Sequence, residues 1–219
     1  MRGSATEIRI SAGDVMLDGE LIIPNDARGL VLFAHGSGSS RHSPRNQFVA
    51  HTLQEAGLGT LLFDLLTKEE ERADARTGHL RFDIQFLADR LLHAAEQMKY
   101  DAEAAHLRPC FFGSSTGGAA AIVAAAEIGD RVGAVVSRGG RPDLAGAALR
   151  KVKCPTLLIV GGEDTVVIGL NEQAMLDLRC KNDLRIVPGA SHLFEEPGTL
   201  EQVAHHAAAW FNEHLGEHT

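Results

Sequence analysis

The chain has 219 residues, 44% of them hydrophobic, with 21 basic and 29 acidic side chains and a formal net charge of −8. This length predicts one domain over residues 1–219 that buries roughly 70% of its unfolded surface. The acidic balance argues against nucleic-acid and anionic-membrane partners, and no sequence window approaches the ~18 apolar residues of a membrane span.

The N-terminus and the cysteines bear on the compartment. Met1-Arg2-Gly3-Ser4 resembles the start of an expression tag, and the N-terminal segment lacks the apolar region of a secretory signal. Cys110, Cys154 and Cys180 are widely spaced, which fits neither a disulfide framework nor paired zinc ligands. We therefore expect a cytoplasmic protein that needs no metal and no other cofactor.

The N-terminal part of the chain predicts antiparallel strands followed by a buried parallel strand. Residues 5–24 read as strands, with Gly13-Asp14 and Asp18-Gly19 as turn or bulge signals. Residues 29–34 form a continuous apolar run, which is typical of a strand covered on both faces. This run ends in the glycine-rich loop 35–40.

Helical and apolar strand patterns then alternate to the end of the chain. The helical patterns cover 44–56, 84–98, 119–126, 171–178 and 200–215. Apolar strands are predicted at 59–66, 132–137, 156–160 and 184–187, in addition to the run that begins at Pro109. The polar and charged segment 67–80 predicts a mobile loop. This alternation predicts an α/β fold with a doubly wound, mostly parallel sheet and antiparallel N-terminal strands.

The stretch 109–121 predicts a catalytic nucleophile. An apolar run leads into Gly-x-Ser-x-Gly at residues 113–117, and small residues of helical character follow. A strand that turns sharply into a helix would expose the hydroxyl of Ser115, and side chains at Gly113 and Gly117 would collide in so tight a turn. The alternative is a glycine-rich turn with an incidental serine, which the motif alone does not exclude.

Two more loops carry candidate partners for Ser115. In a doubly wound sheet, ligand chemistry collects at the carboxyl ends of the strands. A serine hydroxyl needs a base such as His192, and a carboxylate such as Asp164 would hold the imidazole in the required tautomer. The order Ser115, Asp164, His192 is the one expected for this architecture. Taken singly, Asp164 could be a helix N-cap and His192 a surface residue, and Glu163 is a competing acid.

The sequence resembles the α/β-hydrolases in four segments, and more narrowly the small lidless branch grouped with the dienelactone hydrolases. The matching segments are His35-Gly36-Ser37-Gly38, 113–117, 161–164 and 189–192. The resemblance implies an α/β-hydrolase fold without a cap domain, and the short segment 140–155, where lids are usually inserted, agrees with it. Dienelactone hydrolases use a cysteine nucleophile where this chain has Ser115. The resemblance therefore implies ester hydrolysis more strongly than the dienelactone substrate.

The resemblance also implies the position of an oxyanion hole. One donor should be the backbone N–H of Thr116, which follows the nucleophile. The second should come from the loop after His35-Gly36, where we choose Ser37 over Gly38. Such donors typically contribute on the order of 10²–10³ in rate.

The expected function is a serine hydrolase that cleaves small carboxylic esters through an acyl-enzyme. An acyltransferase or perhydrolase could use the same triad with another acceptor, and a binding module could keep the fold without the chemistry. A small-molecule ester is the expected partner, and the oligomeric state does not follow from the sequence.

Seven arginines lie in segments predicted to reach the catalytic edge of the sheet. Arg138 directly follows a buried strand and Arg41 lies beside the glycine-rich loop, so both are candidate substrate-binding residues for an anionic group. The alternative is that these arginines pair with acidic neighbours and brace the loops. The seven are Arg41, Arg45, Arg72, Arg76, Arg81, Arg138 and Arg141.

Overall fold

A computed structural model describes residues 3–216, so Met1 and Arg2 of the tag-like start lie outside the described residues. The strands are β1 (Thr6–Ala12), β2 (Val15–Ile22), β3 (Leu30–Ala34), β4 (Gly59–Phe63), β5 (Pro109–Ser114), β6 (Val135–Arg138), β7 (Thr156–Gly161) and β8 (Asn182–Val187). The α-helices are α1 (Pro44–Glu55), α2 (Lys68–Thr77), α3 (Ile84–Met98), α4 (Thr116–Ile128), α5 (Thr165–Asp177) and α6 (Thr199–Leu215). 3₁₀-helical segments cover Leu80–Phe82, Gly129–Arg131 and Pro142–Lys151, the last of which is kinked at Gly146 (φ 51°).

The strands form one eight-stranded sheet in the order β1-β2-β4-β3-β5-β6-β7-β8. β1 pairs with β2, and β2 with β4, in the antiparallel sense. The pairs from β4 to β8 are parallel. This topology confirms the predicted mostly parallel sheet with antiparallel N-terminal strands.

Helices cover both faces of the sheet. One apolar layer contains α3, α4, α5 and the 3₁₀-helix Pro142–Lys151, and the other contains α1 and α6. In β3, Leu32 packs into the first layer, while Val31 and Phe33 pack into the second. This two-sided burial explains the continuous apolar run seen in the sequence.

The absence of a cap domain is confirmed for the described chain. β6 and β7 are joined by residues 139–155, most of which form the 3₁₀-helix that packs against α4 and α5. Separately, no helix within residues 3–216 is long and apolar enough to cross a bilayer.

The prediction of a mobile loop over 67–80 is wrong, because this segment contains α2. The Thr67 hydroxyl accepts a hydrogen bond from the Glu70 backbone N–H at 3.2 Å, and the Glu70 carboxylate accepts one from the Thr67 N–H at 2.7 Å. This capping box starts the helix, and Gly78, at φ 64°, ends it. An apolar stripe was missing from the sequence because Asp74 is the one buried residue of this fully described helix.

Asp18-Gly19 is not a turn or a bulge, because both residues lie inside β2. Gly19 pairs with Ile8 on one side and with Phe63 on the other. A Cβ on Gly19 would lie 3.1 Å from the Cβ of Phe63. Close approach of the two antiparallel strands therefore accounts for this glycine.

Several other boundaries differ from the predicted ones. β4 ends at Phe63 rather than Leu66, β6 covers Val135–Arg138 rather than 132–137, and α5 begins at Thr165 rather than Asn171. The first two turns of α5 lack an amphipathic pattern, since Val166 is 74% exposed while its neighbour Val167 is buried. By contrast, α3 has a regular apolar stripe, and its predicted start holds: the Asp83 carboxylate accepts the Phe86 N–H at 3.0 Å.

Candidate active site

Ser115 lies on the sharp turn between β5 and α4. Its backbone adopts φ 53° and ψ −122°, a conformation that costs a non-glycine residue about 1–3 kcal/mol. Its N–H donates to the Arg138 carbonyl at 3.2 Å, and its own carbonyl accepts the N–H groups of Gly118 and Arg141. The turn is therefore held by β6 and the loop after it, as well as by its own helix.

The glycines on either side of Ser115 are required by backbone contacts. A Cβ on Gly113 would overlap the carbonyl of Gly117, and a Cβ on Gly117 would overlap the carbonyl of Ala34 at the end of β3. The sequence predicted that side chains would collide at these two positions. The structure identifies the atoms with which they would collide.

His192 and Asp164 are joined by a hydrogen bond. Nδ1 of His192 lies 2.6 Å from Oδ2 of Asp164. The Asp164 side chain is 16% exposed and that of His192 is 40% exposed, so the imidazole faces the solvent side of a mostly buried carboxylate. Asp164 also occupies the N-cap position of α5, but its side chain makes no capping bond. Glu163, the competing acid, is exposed, and its backbone N–H donates to Ala190.

The loops after β5, β6, β7 and β8 converge at the carboxyl edge of the sheet. The N–H of Gly139 donates to the Ile159 carbonyl at 2.7 Å, which joins β6 to β7. A Cβ on Gly139, which has φ 51°, would lie 3.5 Å from Nδ1 and Cε1 of His192. Since the preceding residue, Arg138, bonds the Ser115 N–H, the end of β6 touches both the serine turn and the histidine loop.

The glycine-rich loop after β3 reaches Ser115 from the other side. A Cβ on Gly36 would lie 3.0 Å from the Cβ of Ser115. The hydroxyls of Ser37 and Thr116 are 3.3 Å apart, so the two residues expected to supply oxyanion donors lie together. Thr116 is the first residue of α4, where backbone N–H groups have no acceptor within the helix.

His35 positions this loop, a role that the sequence reasoning missed. Its Nε2 accepts the Leu65 N–H at 2.9 Å, and its Nδ1 lies 3.1 Å from the Gly36 carbonyl. These partners require a neutral ring with the proton on Nδ1. Burial lowers the pKa of His35, which favours the same neutral form. The residue stood in the segment 35–38 that carried the family resemblance, so its place there was the available signal.

A cavity of about 220 Å³ opens beside the glycine-rich loop after β3. Leu65, Leu66 and Leu87 supply its apolar wall, and α2 closes its outer side. The sequence does not predict this wall of the cavity, because α2 carries no apolar stripe. Within residues 3–216, no three His, Cys, Asp or Glu side chains lie together as metal ligands would.

The two candidate substrate-binding arginines have different surroundings. Arg41 donates to Asp64 through both its backbone N–H and its guanidinium, so it braces the loop as the alternative supposed. Arg138 is 7% exposed, and its Nε and Nη1 have no acceptor in the described structure. Among the other arginines, four pair with acids: Arg45 with Glu195, Arg72 with Glu69, Arg81 with Asp74, and Arg141 with Asp143.

The chain is similar to dienelactone hydrolases in sequence and in structure. Residues 17–215 match the model of the dienelactone hydrolase family. A dienelactone hydrolase from Anabaena variabilis ATCC 29413 has 57% sequence identity and a TM-score of 0.96, covering 99% of this chain and 100% of that one. A lidless α/β serine hydrolase from Xanthomonas campestris, XC6422, has 19% identity and a TM-score of 0.77, covering 99% of this chain and 97% of that one. At that identity, the second likeness shows the fold alone.

Two Mycobacterium tuberculosis proteins, from strains CDC 1551 / Oshkosh and H37Rv, are 55% identical to this chain over 209 residues. Each bears the name "Putative phosphoribosyl transferase". The match covers 95% of this chain and 46% of each relative. The chain thus spans about half the length of the curated relatives it matches.

Proposed function

Because the chain belongs to the dienelactone hydrolase family, we propose that it is a serine hydrolase that cleaves small carboxylic esters through an acyl-enzyme. The observation that carries this proposal is the pairing of His192 Nδ1 with Asp164 Oδ2 at 2.6 Å. The end of β6 links this pair to the strained turn, because Arg138 accepts the Ser115 N–H and Gly139 lies against His192. A hydroxyl, an imidazole and a carboxylate are the groups that nucleophilic acyl transfer by a serine requires.

In the proposed reaction, Ser115 Oγ attacks the ester carbonyl carbon and His192 Nε2 takes the hydroxyl proton. Asp164 keeps the proton of the neutral imidazole on Nδ1 and stabilises the imidazolium that forms. The backbone N–H groups of Thr116 and Ser37 bind the oxyanion. Collapse of the tetrahedral intermediate breaks the bond between the former carbonyl carbon and the alcohol oxygen. His192 gives its proton to the leaving alcohol, and the acyl group stays on Ser115. Water, deprotonated by His192, then releases the carboxylic acid and restores Ser115.

The states of the cysteines support a serine nucleophile. Cys110 and Cys154 are buried, and burial raises the pKa of each thiol to about 12. Burial also raises the pKa of Cys180, which is half-buried. The thiolate is the reactive form of cysteine, so none of these three thiols has the character of a nucleophile at neutral pH.

The size of the cavity supports a small ester. Its volume of about 220 Å³ falls below the range of roughly 300–1,000 Å³ typical of drug-sized ligands. Its leucines favour a short apolar acyl or alcohol group next to the proposed oxyanion donors. Water is the proposed acceptor, and transfer to an added alcohol or to peroxide would give the acyltransferase or perhydrolase of the alternative reading.

The name of the Mycobacterium tuberculosis relatives is compatible with this proposal. The shared segment is the part that matches the hydrolase family, and each relative contains about as much chain again outside the match. We therefore propose no phosphoribosyl transfer for this chain. A reducing cytoplasm remains the proposed compartment, because the three cysteines are free thiols.

Covalent labelling with a fluorophosphonate probe tests the nucleophile. Intact mass and peptide mapping should place one adduct on Ser115, because this residue is partly exposed and His192 is its proposed base. Ser115→Ala should abolish labelling. Ser114→Ala is the matched control, since the neighbouring serine is buried and 2% exposed. An adduct on Ser114 or on a cysteine would refute the assignment, and an unlabelled wild type would favour the binding module.

The same assay tests the acid of the triad. Asp164→Asn should slow labelling and the hydrolysis of activated esters by up to ~10⁴, since the imidazole would then hold the wrong tautomer. Glu163→Gln removes the adjacent carboxylate and should leave both rates within about twofold. The reverse result, with damage from Glu163→Gln alone, would show that the acid is misassigned.

A further inference from the structure

Arg138, the last residue of β6, is a buried cation without a counter-charge in the described part of the chain. It is 7% exposed, it forms no ion pair among residues 3–216, and its Nε and Nη1 donate to nothing there. Arg41 and Arg81 are also shielded, but each has a carboxylate partner in Asp64 or Asp74. A buried guanidinium normally has such a partner, because removing a charge from water without compensation is costly.

The charged group that acts on the Arg138 guanidinium is a second arginine, Arg45. Arg45 lies in the first turn of α1 and repels the Arg138 guanidinium. Burial is the larger cause and this repulsion the smaller one that together lower the pKa of Arg138 to about 10. The group therefore still carries its charge at neutral pH. Arg45 itself bonds Glu195 at 3.1 Å, which leaves one positive charge uncompensated. The N-terminus of α1 adds partial positive charge, and its cap makes no side-chain hydrogen bond.

Arg138 also contacts the segments that carry the candidate catalytic residues. The Phe194 ring lies 5.8 Å from the guanidinium carbon of Arg138, and Phe194 follows His192 by two positions. Phe194 has φ 56°, an outlier for a bulky residue, while its side chain is 2% exposed. The Arg138 carbonyl bonds the Ser115 N–H. A ligand at this guanidinium would therefore lie beside the histidine loop, while the backbone of the same residue contacts the serine turn.

We propose that Arg138, with Arg45 and the first turn of α1, binds an oxyanion, a phosphate or carboxylate group, next to the histidine loop. The oxyanion accepts hydrogen bonds from the unpaired donors of Arg138 and neutralises its charge. It is either a charged group of the ester substrate or a free anion from solution. The binding site stands on the geometry of Arg138, and only the choice of a substrate group as its source rests on the proposed hydrolase function.

Thermal unfolding in inorganic phosphate tests the site without relying on catalysis. Wild type and Ser115→Ala should melt about 3–6 °C higher at a phosphate concentration ten times Kd than in chloride of equal ionic strength. Arg138→Gln should lose this difference. Arg141→Gln is the matched control: it removes one positive charge from the next loop, where Asp143 already pairs with the guanidinium, and it should keep the shift.

Two further variants keep the test decisive if Arg138→Gln does not fold, or if the site holds only water. Arg45→Gln should weaken the phosphate shift even if Arg138→Gln fails to fold. Arg138→Met replaces the buried charge with an apolar chain of similar length. It should melt higher than wild type in phosphate-free buffer and show no phosphate shift. An equal shift in wild type and Arg138→Met, or no shift in wild type, would overturn the proposal.

A kinetic comparison distinguishes the two sources of the anion. If the group belongs to the substrate, Arg138→Gln should lower kcat/KM at least tenfold more on a phosphate- or carboxylate-bearing ester than on its neutral analogue. Free phosphate should then compete with the anionic ester alone. If the anion is free, phosphate should change the rates on both esters equally in wild type and on neither in Arg138→Gln. Equal losses on both esters, with no phosphate response, would mean that Arg138 only supports the fold.

Discussion

At the scale of single residues, Ser115 can adopt its strained conformation because the glycines around it have no Cβ atom. Gly113 and Gly117 leave room for β3, β5 and α4 to touch at one point. Gly36, in the glycine-rich loop, leaves room for Ser115, because a Cβ on Gly36 would lie 3.0 Å from the Cβ of Ser115. Close backbone contacts at these three glycines therefore hold Ser115 in a conformation that costs about 1–3 kcal/mol. A methyl group at any of these glycines would separate the strands that define the site.

Gly117→Ala should lower the free energy of unfolding by about 3 kcal/mol and abolish probe labelling of Ser115. The new methyl would overlap the Ala34 carbonyl, and backbone atoms cannot turn aside as a side chain can. Gly169→Ala is the control, because a Cβ there meets nothing within 4 Å on the exposed side of α5. It should stabilise the protein by about 0.5–1 kcal/mol. Urea unfolding measures both, and similar values for the two variants would refute the steric account.

At the scale of secondary-structure elements, α2 is attached to the protein by charged groups. Asp74, 1% exposed, accepts from the Arg81 guanidinium at 2.5 Å and from the Leu80 N–H at 2.6 Å. At the other end, Glu70 pairs with the buried Arg90 at 2.7 Å. Burial alone would raise the pKa of Asp74, but the bonds from Arg81 and the backbone N–H groups hold it below its usual value. The wall of the cavity beside the glycine-rich loop is thus held in place by ionic contacts.

Asp74→Asn should loosen α2 while leaving the sheet intact. Losing charge-assisted bonds of about 2 kcal/mol would lower amide-exchange protection in α2 roughly 30-fold, with no change in α4. KM for small esters should rise more than kcat falls, because α2 closes the cavity and does not touch the reacting atoms. Glu69→Gln breaks an exposed pair with Arg72 and should change neither quantity. Uniform loss of protection across the molecule would show that Asp74 stabilises the whole fold.

The contrast between α2 and α3 shows what a single sequence can reveal. α3 buries an apolar stripe, so its start and end follow from periodicity, whereas α2 buries one carboxylate and was recognisable only from its capping box. Ser115, Asp164 and His192 could be nominated because residue type and chain order carry the chemistry. The cavity wall depends on contacts between distant segments that no local pattern records. The same holds for the absence, within residues 3–216, of a carboxylate partner for Arg138.

At the scale of the whole molecule, the buried titratable groups set the pH range of stability. Burial lowers the pKa of His35 from its usual 6.5, so the unfolded chain takes up this proton first. The stability contributed by neutral His35 is present above pH 6.5 and is lost as the pH falls toward the lowered value. Cys110 and Cys154 act in the opposite direction, because burial raises their pKa values to about 12 from the usual 9.0.

The fall in the free energy of unfolding at alkaline pH can be measured as a slope. Below pH 9 the two thiols are neutral in both states, and above it the unfolded chain ionises first. Each thiol should therefore remove up to about 1.4 kcal/mol of stability per pH unit between pH 9 and 12. In urea unfolding with reductant from pH 8 to 10.5, the double variant Cys110→Ala/Cys154→Ala should show a flatter decline than wild type, whatever its stability at pH 8. Cys180→Ala removes the half-buried thiol and should keep most of the wild-type slope. Parallel curves for wild type and the double variant would show that alkaline unfolding arises from other groups.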